Sequence, residues 1–238
     1  MPVKQYWFIC LIVSYILATF PLQPVWLIDK KKYLRGKILH ACIHSILAYL
    51  LCGQWYLWSL PVIILIFYTF IDFIPKENYR LYLLDQVLRL GVIITCIYLL
   101  PFPDSIIFSG ARVLFLKVIL VIGGVFALTQ GTGVFVGKIM QEHAQKNKLE
   151  LKGLDNGGMW IGQLERILIL MFILFHVPTG IGFLIAAKSI LRFSEAREEQ
   201  KLAEYVLIGT FLSFGLAILL SFCMKHIFEI IGTIQTAG

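Results

Sequence analysis

Charged residues are scarce in this chain. Only 15% of its 238 residues are Asp, Glu, Lys or Arg, whereas a typical soluble domain has about 25%. Hydrophobic residues make up 59%, and the mean hydropathy is +0.83. The polar stretches between the apolar runs are too short to hold a separate soluble domain. The composition therefore predicts a polytopic membrane protein whose function depends on the helices or on their ends.

Cysteine provides neither a disulfide framework nor a metal motif. The five cysteines are odd in number, lie inside apolar runs and form no C-x-x-C pair, which is typical of small buried residues. The glycine-rich stretch at residues 121–137 lacks the lysine of a phosphate-binding loop. Gly133 and Gly137 stand at a GxxxG spacing, which predicts close helix packing. An unwound helix that lines an ion path, or a gate, is the alternative.

The apolar runs predict an all-α fold, a polytopic membrane bundle of about seven or eight transmembrane or re-entrant helices. The second and third runs are short and could form a re-entrant hairpin, and the Pro-Thr-Gly sequence at 178–180 predicts a turn. We expect a four-segment module at 1–110 and a second helical module at 111–238 with a basic cytoplasmic loop at 138–158. The runs lie near residues 5–20, 38–52, 57–71, 81–100, 111–137, 159–177, 180–193 and 203–224.

Positive residues cluster in alternate connections, which predicts the topology. Four stretches hold most of the lysines and arginines, and eight crossings would place all four on the cytoplasmic side, with both termini outside. Lys188 and Arg192, one helical turn apart, would then snorkel to the headgroups, or contact an anionic lipid or a substrate. The four stretches are residues 29–37, 75–80, 138–152 and 188–201.

The same topology brings polar residues of the first half to one side of the membrane. His40 and His44 are one turn apart and share a helical face, as two metal ligands would. With Asp72 and Asp85 they could hold a divalent metal that activates water, and Gln86 is a further catalytic candidate. The alternatives are interfacial histidines and a helical ion pair between Asp85 and Arg89.

A second group of charged residues lies in the second half. Glu165 and Arg166 are adjacent, so they point to different faces and need different partners. We expect these partners on neighbouring helices, which would make the group a set of buried ion pairs or coupling charges. The predicted charged cluster comprises Glu165, Arg166, Lys188, Arg192 and Glu204.

Several motifs are similar to those of a known family. The first-half stretches LQPVWL, HACIH, FIDFIP and YLLDQVLRL resemble a bacterial integral-membrane domain of unknown function, the 3307 family. The second-half stretches GGMWIGQLERILIL, GFLIAAKSILRF and EYVLIGTFLSF resemble the region that follows this domain in many members. The resemblance implies a polytopic fold in the bacterial inner membrane.

The chain departs from the family pattern at three positions. The resemblance implies an aspartate at the place of Thr19 and histidines at the places of Tyr68 and Arg89. A loose similarity to membrane-bound metal-dependent hydrolases implies an enzyme, but these departures remove several of its ligands. The departures therefore weaken the prediction of a metal-dependent hydrolase.

Three classes of function stay open at this point. We expect a membrane scaffold or effector first, with a metal-dependent hydrolase acting on a lipid or membrane substrate, or a transporter or channel component, as alternatives. The expected partners are membrane lipids, a cytoplasmic protein or a second copy of the chain. Nucleic acid is not expected, because the topology accounts for most of the net charge of +7.

Overall fold

The computed structural model describes residues 3–23, 33–76, 78–103, 110–149, 157–193 and 200–236, and within these ranges the regular structure is helical. The predicted all-α fold is confirmed. The helices in chain order are α1 (Val3–Thr19), α2 (Leu34–Cys52), α3 (Ser59–Ile71), α4 (Tyr79–Leu99), α5 (Gly110–Phe126), a π-helical segment (Ala127–Gly131), α6 (Thr132–Asn147), α7 (Gly157–Leu174), α8 (Thr179–Phe193) and α9 (Gln200–Thr236).

Each of the eight apolar runs predicted from the sequence is largely helical in the structure. Within the described ranges, four helical stretches are long and apolar enough to cross a membrane, and three shorter apolar helices accompany them. This number agrees with about seven or eight transmembrane or re-entrant helices. The four long stretches are Tyr79–Leu99, Gly110–Asn147, Gly157–Leu174 and Ala203–Thr233, and the shorter ones are Lys4–Thr19, Ser59–Ile71 and Thr179–Ile190.

The predicted basic loop is partly helical. Residues 138–147, which we expected in the loop at 138–158, belong to α6, and the helix ends at Lys148 in a left-handed conformation with φ 53°. The stretch KIMQEHAQKN is rich in good helix formers, so the helix continues past its apolar part. Residues 150–156 of the predicted loop lie outside the described residues.

The chain folds as two compact units. Unit 1 contains the described residues up to Phe126 and those from Phe228 onwards, and unit 2 contains those between Ala127 and Ile227. The division predicted from the sequence, at residue 110, stays a prediction.

Helices α1 to α5 form the core of unit 1. Helix α1 packs on α2, α4 and α5, and α3 packs on both α2 and α4. Trp7 and Leu11 of α1 and Leu60 of α3 are almost completely buried. A Cβ on Gly123 of α5 would lie 3.1 Å from the Val13 side chain of α1, so glycine permits this close approach. The packing leaves the polar residues of α2, α3 and α4 facing one another.

Unit 2 contains a helical hairpin at the predicted turn. Helix α7 ends at Leu174, His176 adopts a positive φ of 60°, and α8 begins at Thr179, directly after Pro178. Helix α7 also packs on the π-helical segment and on α6. This arrangement turns Glu165 towards α8 and Arg166 towards the π-helical segment and α9.

Candidate functional site

An arginine bridges two buried carboxylates in unit 1. Asp72 follows the last residue of α3, whereas Asp85 and Arg89 lie one turn apart on α4. Arg89 Nη2 donates to Asp72 Oδ1 at 2.6 Å and to Asp85 Oδ1 at 3.2 Å, and Arg89 Nε lies 3.2 Å from both oxygens of Asp85. The side chains of all three are at most 2% exposed. The predicted helical ion pair of Asp85 and Arg89 is confirmed, and it extends to a second carboxylate.

Lys76 contacts the same two carboxylates. Its Nζ lies 3.2 Å from Asp72 Oδ1 and 3.0 Å from Asp85 Oδ1, the two oxygens that Arg89 Nη2 also contacts. The Lys76 side chain is 31% exposed, so it marks the edge of the cluster. Two carboxylates and two cations sum to zero charge when the nearby imidazoles are neutral. Buried charges are tolerated when they are paired in this way.

The two histidines extend this network from α2. His40 Nδ1 lies 2.6 Å from Asp72 Oδ2, and His40 Nε2 lies 3.2 Å from His44 Nε2. If the Nδ1–H of a neutral His40 donates to Asp72, its Nε2 accepts from the Nε2–H of His44; we assign these tautomers from the hydrogen-bond pattern. Both imidazoles are only 2% exposed. His40 and His44 therefore share one helical face, as expected, and His40 on this face contacts the carboxylate of Asp72.

Gln86 and a residue that the sequence did not indicate complete the cluster. Gln86 Nε2 donates to Asp85 Oδ2 at 2.9 Å, and Gln86 Oε1 accepts a hydrogen bond from the hydroxyl of Tyr15 on α1. The Tyr15 ring also stacks on His44, with the ring centres 5.8 Å apart. A buried tyrosine hydroxyl usually has a partner, but the apolar run around Tyr15 gave no sign of which one. We call His40, His44, Asp72, Lys76, Asp85, Gln86 and Arg89, together with Tyr15 and Tyr68, the polar network.

Tyr68 packs against the bridging arginine. Its ring centre lies 4.7 Å from Arg89 Cζ, and its hydroxyl donates to the backbone carbonyl of Arg89 at 3.2 Å. The same ring meets His44 edge to face, at 5.0 Å. Tyr68 and Arg89 are two of the positions that depart from the pattern implied by the resemblance. The third, Thr19, donates to the carbonyl of Tyr15 within α1.

The predicted metal ligands His40, His44, Asp72 and Asp85 come together in the structure, whereas their binding of a divalent ion stays a prediction. His40, Asp72 and Asp85 already bind one another or the two cations. A metal between the carboxylates would meet Arg89 and Lys76, which repel it. Within the part of the chain that the structure describes, no three His, Cys, Asp or Glu side chains are grouped as a metal site requires.

The predicted charged cluster of unit 2 contains an ion pair between Glu165 and Lys188. Lys188 Nζ binds Glu165 Oε2 at 2.6 Å and lies 5.2 Å from the ring centre of Phe214. The ammonium of Lys188 therefore meets a carboxylate rather than snorkelling alone. Glu204 is exposed, and the side chain of Arg192 lies outside the described residues.

Arg166 lies apart from that ion pair. Its Nη1 donates to Ser213 Oγ at 3.0 Å, and its Nη2 donates to the carbonyl of Thr129 in the π-helical segment at 2.9 Å. A Cβ on Gly133 would lie 3.1 Å from Arg166 Nη2, whereas one on Gly137 would meet nothing within 4 Å. The GxxxG glycines were expected to pack helix on helix, but Gly133 instead leaves room for a guanidinium.

These observations define an all-helical protein with several apolar helices of membrane-spanning length and a buried polar network. Residues 7–114, a little under half of the chain, match the family described as "Protein of unknown function (DUF3307)". This match confirms the resemblance predicted for the first half, and it contains the whole polar network. No curated protein and no solved structure matches the chain significantly.

Proposed function

We propose that this protein is a multi-pass component of the bacterial inner membrane that acts as a non-catalytic scaffold or effector. The observation that carries the proposal is the internal balance of the polar network: Asp72 and Asp85 are neutralised by Arg89 and Lys76. Charges that bind one another stabilise the packing of helices. In this account the network joins α2, α3 and α4 and holds the membrane unit in one arrangement.

A hydrolase would need a different site. A catalytic metal has an open coordination position for water or substrate, and a general base must reach the proton that it removes. His40 is 2% exposed and Asp85 is 0% exposed, and their polar atoms bind other residues of the network. These contacts favour a structural role over a metal-dependent hydrolase.

The partner of such a scaffold would bind at the polar ends of the helices. The end of α6, which carries the ion pair between Glu142 and Lys146, is polar and largely exposed. On the predicted topology it is cytoplasmic, where a cytoplasmic protein or a second copy of the chain could bind. The basic stretch 29–37 would contact anionic lipid headgroups; residues 29–32 lie outside the described residues.

A transporter or channel component is the second candidate function, and one observation favours it. Arg166 is 4% exposed and lies within a stretch long and apolar enough to cross a membrane. Ionisable residues inside membrane helices commonly mark ion or substrate paths. The contact of Arg166 with a π-helical segment also favours a transporter or channel, because such segments are frequent at functional sites.

Lipid hydrolysis tests the proposal. The purified chain would be reconstituted in nanodiscs made from inner-membrane lipids, incubated with a divalent metal, and compared by mass spectrometry with a His40→Ala, His44→Ala double variant. A scaffold or effector leaves the lipid composition of both samples equal. Release of lysolipid or headgroup by the parent alone would establish the hydrolase and reject the proposal.

A further inference from the structure

Arg166 differs from the other buried arginine in what balances its charge. Arg89 has two carboxylates within salt-bridge distance. Arg166 is also buried, at 4% exposure, yet among the described residues no carboxylate lies within salt-bridge distance of it. The adjacent carboxylate of Glu165 is bound to Lys188 at 2.6 Å. Among the described residues of unit 2, the buried charge of Arg166 thus has no salt-bridge partner, and Glu165 attracts it only from beyond that distance.

The hydrogen bonding of Arg166 is also incomplete. A guanidinium has five N–H donors; Ser213 and the Thr129 carbonyl each accept one of them, from Nη1 and Nη2. The Nε atom is buried and has no hydrogen-bond partner; the same holds for Arg89 Nη1, but the guanidinium of Arg89 is bound to two carboxylates. A buried charged donor without a partner is costly, so it marks a place where an acceptor is missing.

Glycines of two helices make room for the guanidinium. A Cβ on Gly162 of α7 would lie 3.1 Å from Arg166 Nη1, and a Cβ on Gly133 of α6 would lie 3.1 Å from Nη2. Two other glycines, Gly158 on α7 and Gly137 on α6, have nothing within 4 Å of such a Cβ. Of these four glycines, Gly162 and Gly133 are the two that the guanidinium contacts, so a side chain at either position would displace it.

Arg166 lies near the middle of α7, and the shape of its head suits an oxyanion. Arg166 lies nine residues after the start of α7, which has 18 residues, so it is roughly 14 Å along a helix of about 27 Å. Its flat, forked head matches the paired oxygens of phosphate and carboxylate groups. Ser213 can contribute a hydroxyl to the same group.

We propose that Arg166 is the cationic centre of an oxyanion site in unit 2, which takes a phosphate or carboxylate group beside Ser213 and Gly162. This site goes beyond the scaffold role and does not depend on it. The oxyanion could be free in solution or belong to a lipid headgroup, and the two sources require separate measurements.

Thermal unfolding of the purified full chain provides the test. In the first arm, the unfolding midpoint is measured in detergent as inorganic phosphate replaces chloride at constant ionic strength. In the second arm, it is measured in phosphatidylcholine nanodiscs with and without phosphatidylglycerol. A ligand that binds the folded state raises the midpoint, so a rise in the first arm identifies a free oxyanion and a rise in the second alone identifies a headgroup.

Two pairs of variants connect that rise to Arg166. Arg166→Gln is expected to abolish the rise in the unfolding midpoint. Arg166→Lys is expected to make the rise smaller, because lysine lacks the forked head. Gly162→Ala keeps the arginine but displaces it, and should weaken binding by about tenfold, as loss of a charge-assisted hydrogen bond does. Gly158→Ala is its matched control and should respond as the parent does. A parent whose midpoint ignores both phosphate and phosphatidylglycerol would overturn the proposal, as would an unchanged response in Arg166→Gln and Gly162→Ala.

Discussion

Arg89 Nη2 lies 2.6 Å from Asp72 Oδ1, and this contact joins the middle of α4 to the end of α3. Asp85, one turn before Arg89, is the partner that helical spacing indicates, but the shortest contact of the guanidinium is with Asp72. His40 binds the other oxygen of Asp72 from α2. Asp72 is thereby the point where three helices of unit 1 meet.

Removal of the bridging cation should be costly. Arg89→Gln leaves two buried carboxylates with Lys76 as their remaining cation, and we expect a loss of about 3–5 kcal/mol in stability. The measurement is thermal unfolding in detergent. Arg80→Gln is the control, because Arg80 lies on the same helix with an exposed side chain and should change stability by less than about 0.5 kcal/mol. Equal effects of both substitutions would show that Arg89 is not part of a buried network.

Asp72 and Arg89 should be coupled energetically. In a double-mutant cycle with Asp72→Asn and Arg89→Gln, we expect a coupling energy of about 0.5–3 kcal/mol, because residues in contact do not act additively. The cycle uses the midpoints of the parent, the two single variants and the double variant. If the midpoint shift of the double variant equals the sum of the two single shifts, the 2.6 Å contact between Arg89 and Asp72 contributes nothing to stability.

The ion pair of unit 2 gives a second measure of buried charge. The side chains of Lys188 and Glu165 are 16% and 9% exposed, so removing either by Lys188→Ala or Glu165→Ala should cost about 3 kcal/mol. The control is the pair of Lys146 and Glu142, exposed by 71% and 28%, for which Lys146→Ala should cost at most about 0.5 kcal/mol. If Lys188→Ala and Lys146→Ala shift the unfolding midpoint alike, water screens the Lys188 pair as well.

The hairpin between α7 and α8 should depend on one glycine. A Cβ on Gly180 would lie 2.6 Å from the ring of Phe172, whereas one on Gly182 would meet nothing within 4 Å. Gly180→Ala should therefore destabilise the chain by about 1–3 kcal/mol, while Gly182→Ala should be neutral or stabilising by up to about 1 kcal/mol. Thermal unfolding of the two variants side by side decides this, and a Gly180→Ala protein as stable as Gly182→Ala would contradict the packing.

The topology can be tested independently of stability. Lys37 lies in the first turn of α2, so reporter fusions after Lys37 and after Pro103 are separated by the rest of α2 and by α3 and α4. An odd number of crossings results whether all three helices span the membrane or α2 and α3 form a re-entrant hairpin. The two reporters should therefore give opposite signals. Identical signals would contradict the crossing by α4 and the cytoplasmic placement of the polar residues.

The sequence predicted the helices well because apolar runs and the Pro-Thr-Gly turn are local signals. The shared face of His40 and His44 followed from the helical period alone. The end of α6 was missed, because a polar run that ends a long helix looks like a loop when hydropathy alone is used. Local helix propensity was the signal that could have corrected this.

The contacts between helices could not be read from the sequence. Which of two nearby carboxylates an arginine prefers depends on how α3 and α4 pack, and the sequence contained no measure of that packing. The hydrogen bond of Tyr15 could not be predicted for the same reason, because its partner Gln86 lies 71 residues away on α4. The partners of Arg166 were expected on neighbouring helices, but only the fold shows that they are a serine of α9 and a backbone carbonyl of the π-helical segment.

The metal content of the purified chain tests the central claim most directly. Protein expressed in medium supplemented with zinc, manganese and iron would be purified without chelator and measured by elemental analysis, beside the His40→Ala, His44→Ala double variant. Because Arg89 and Lys76 lie where a metal between Asp72 and Asp85 would bind, we expect far less than one metal ion per chain, with the same value in both proteins. About one divalent ion per parent chain that is lost in the double variant would contradict the structural network and establish a metal site.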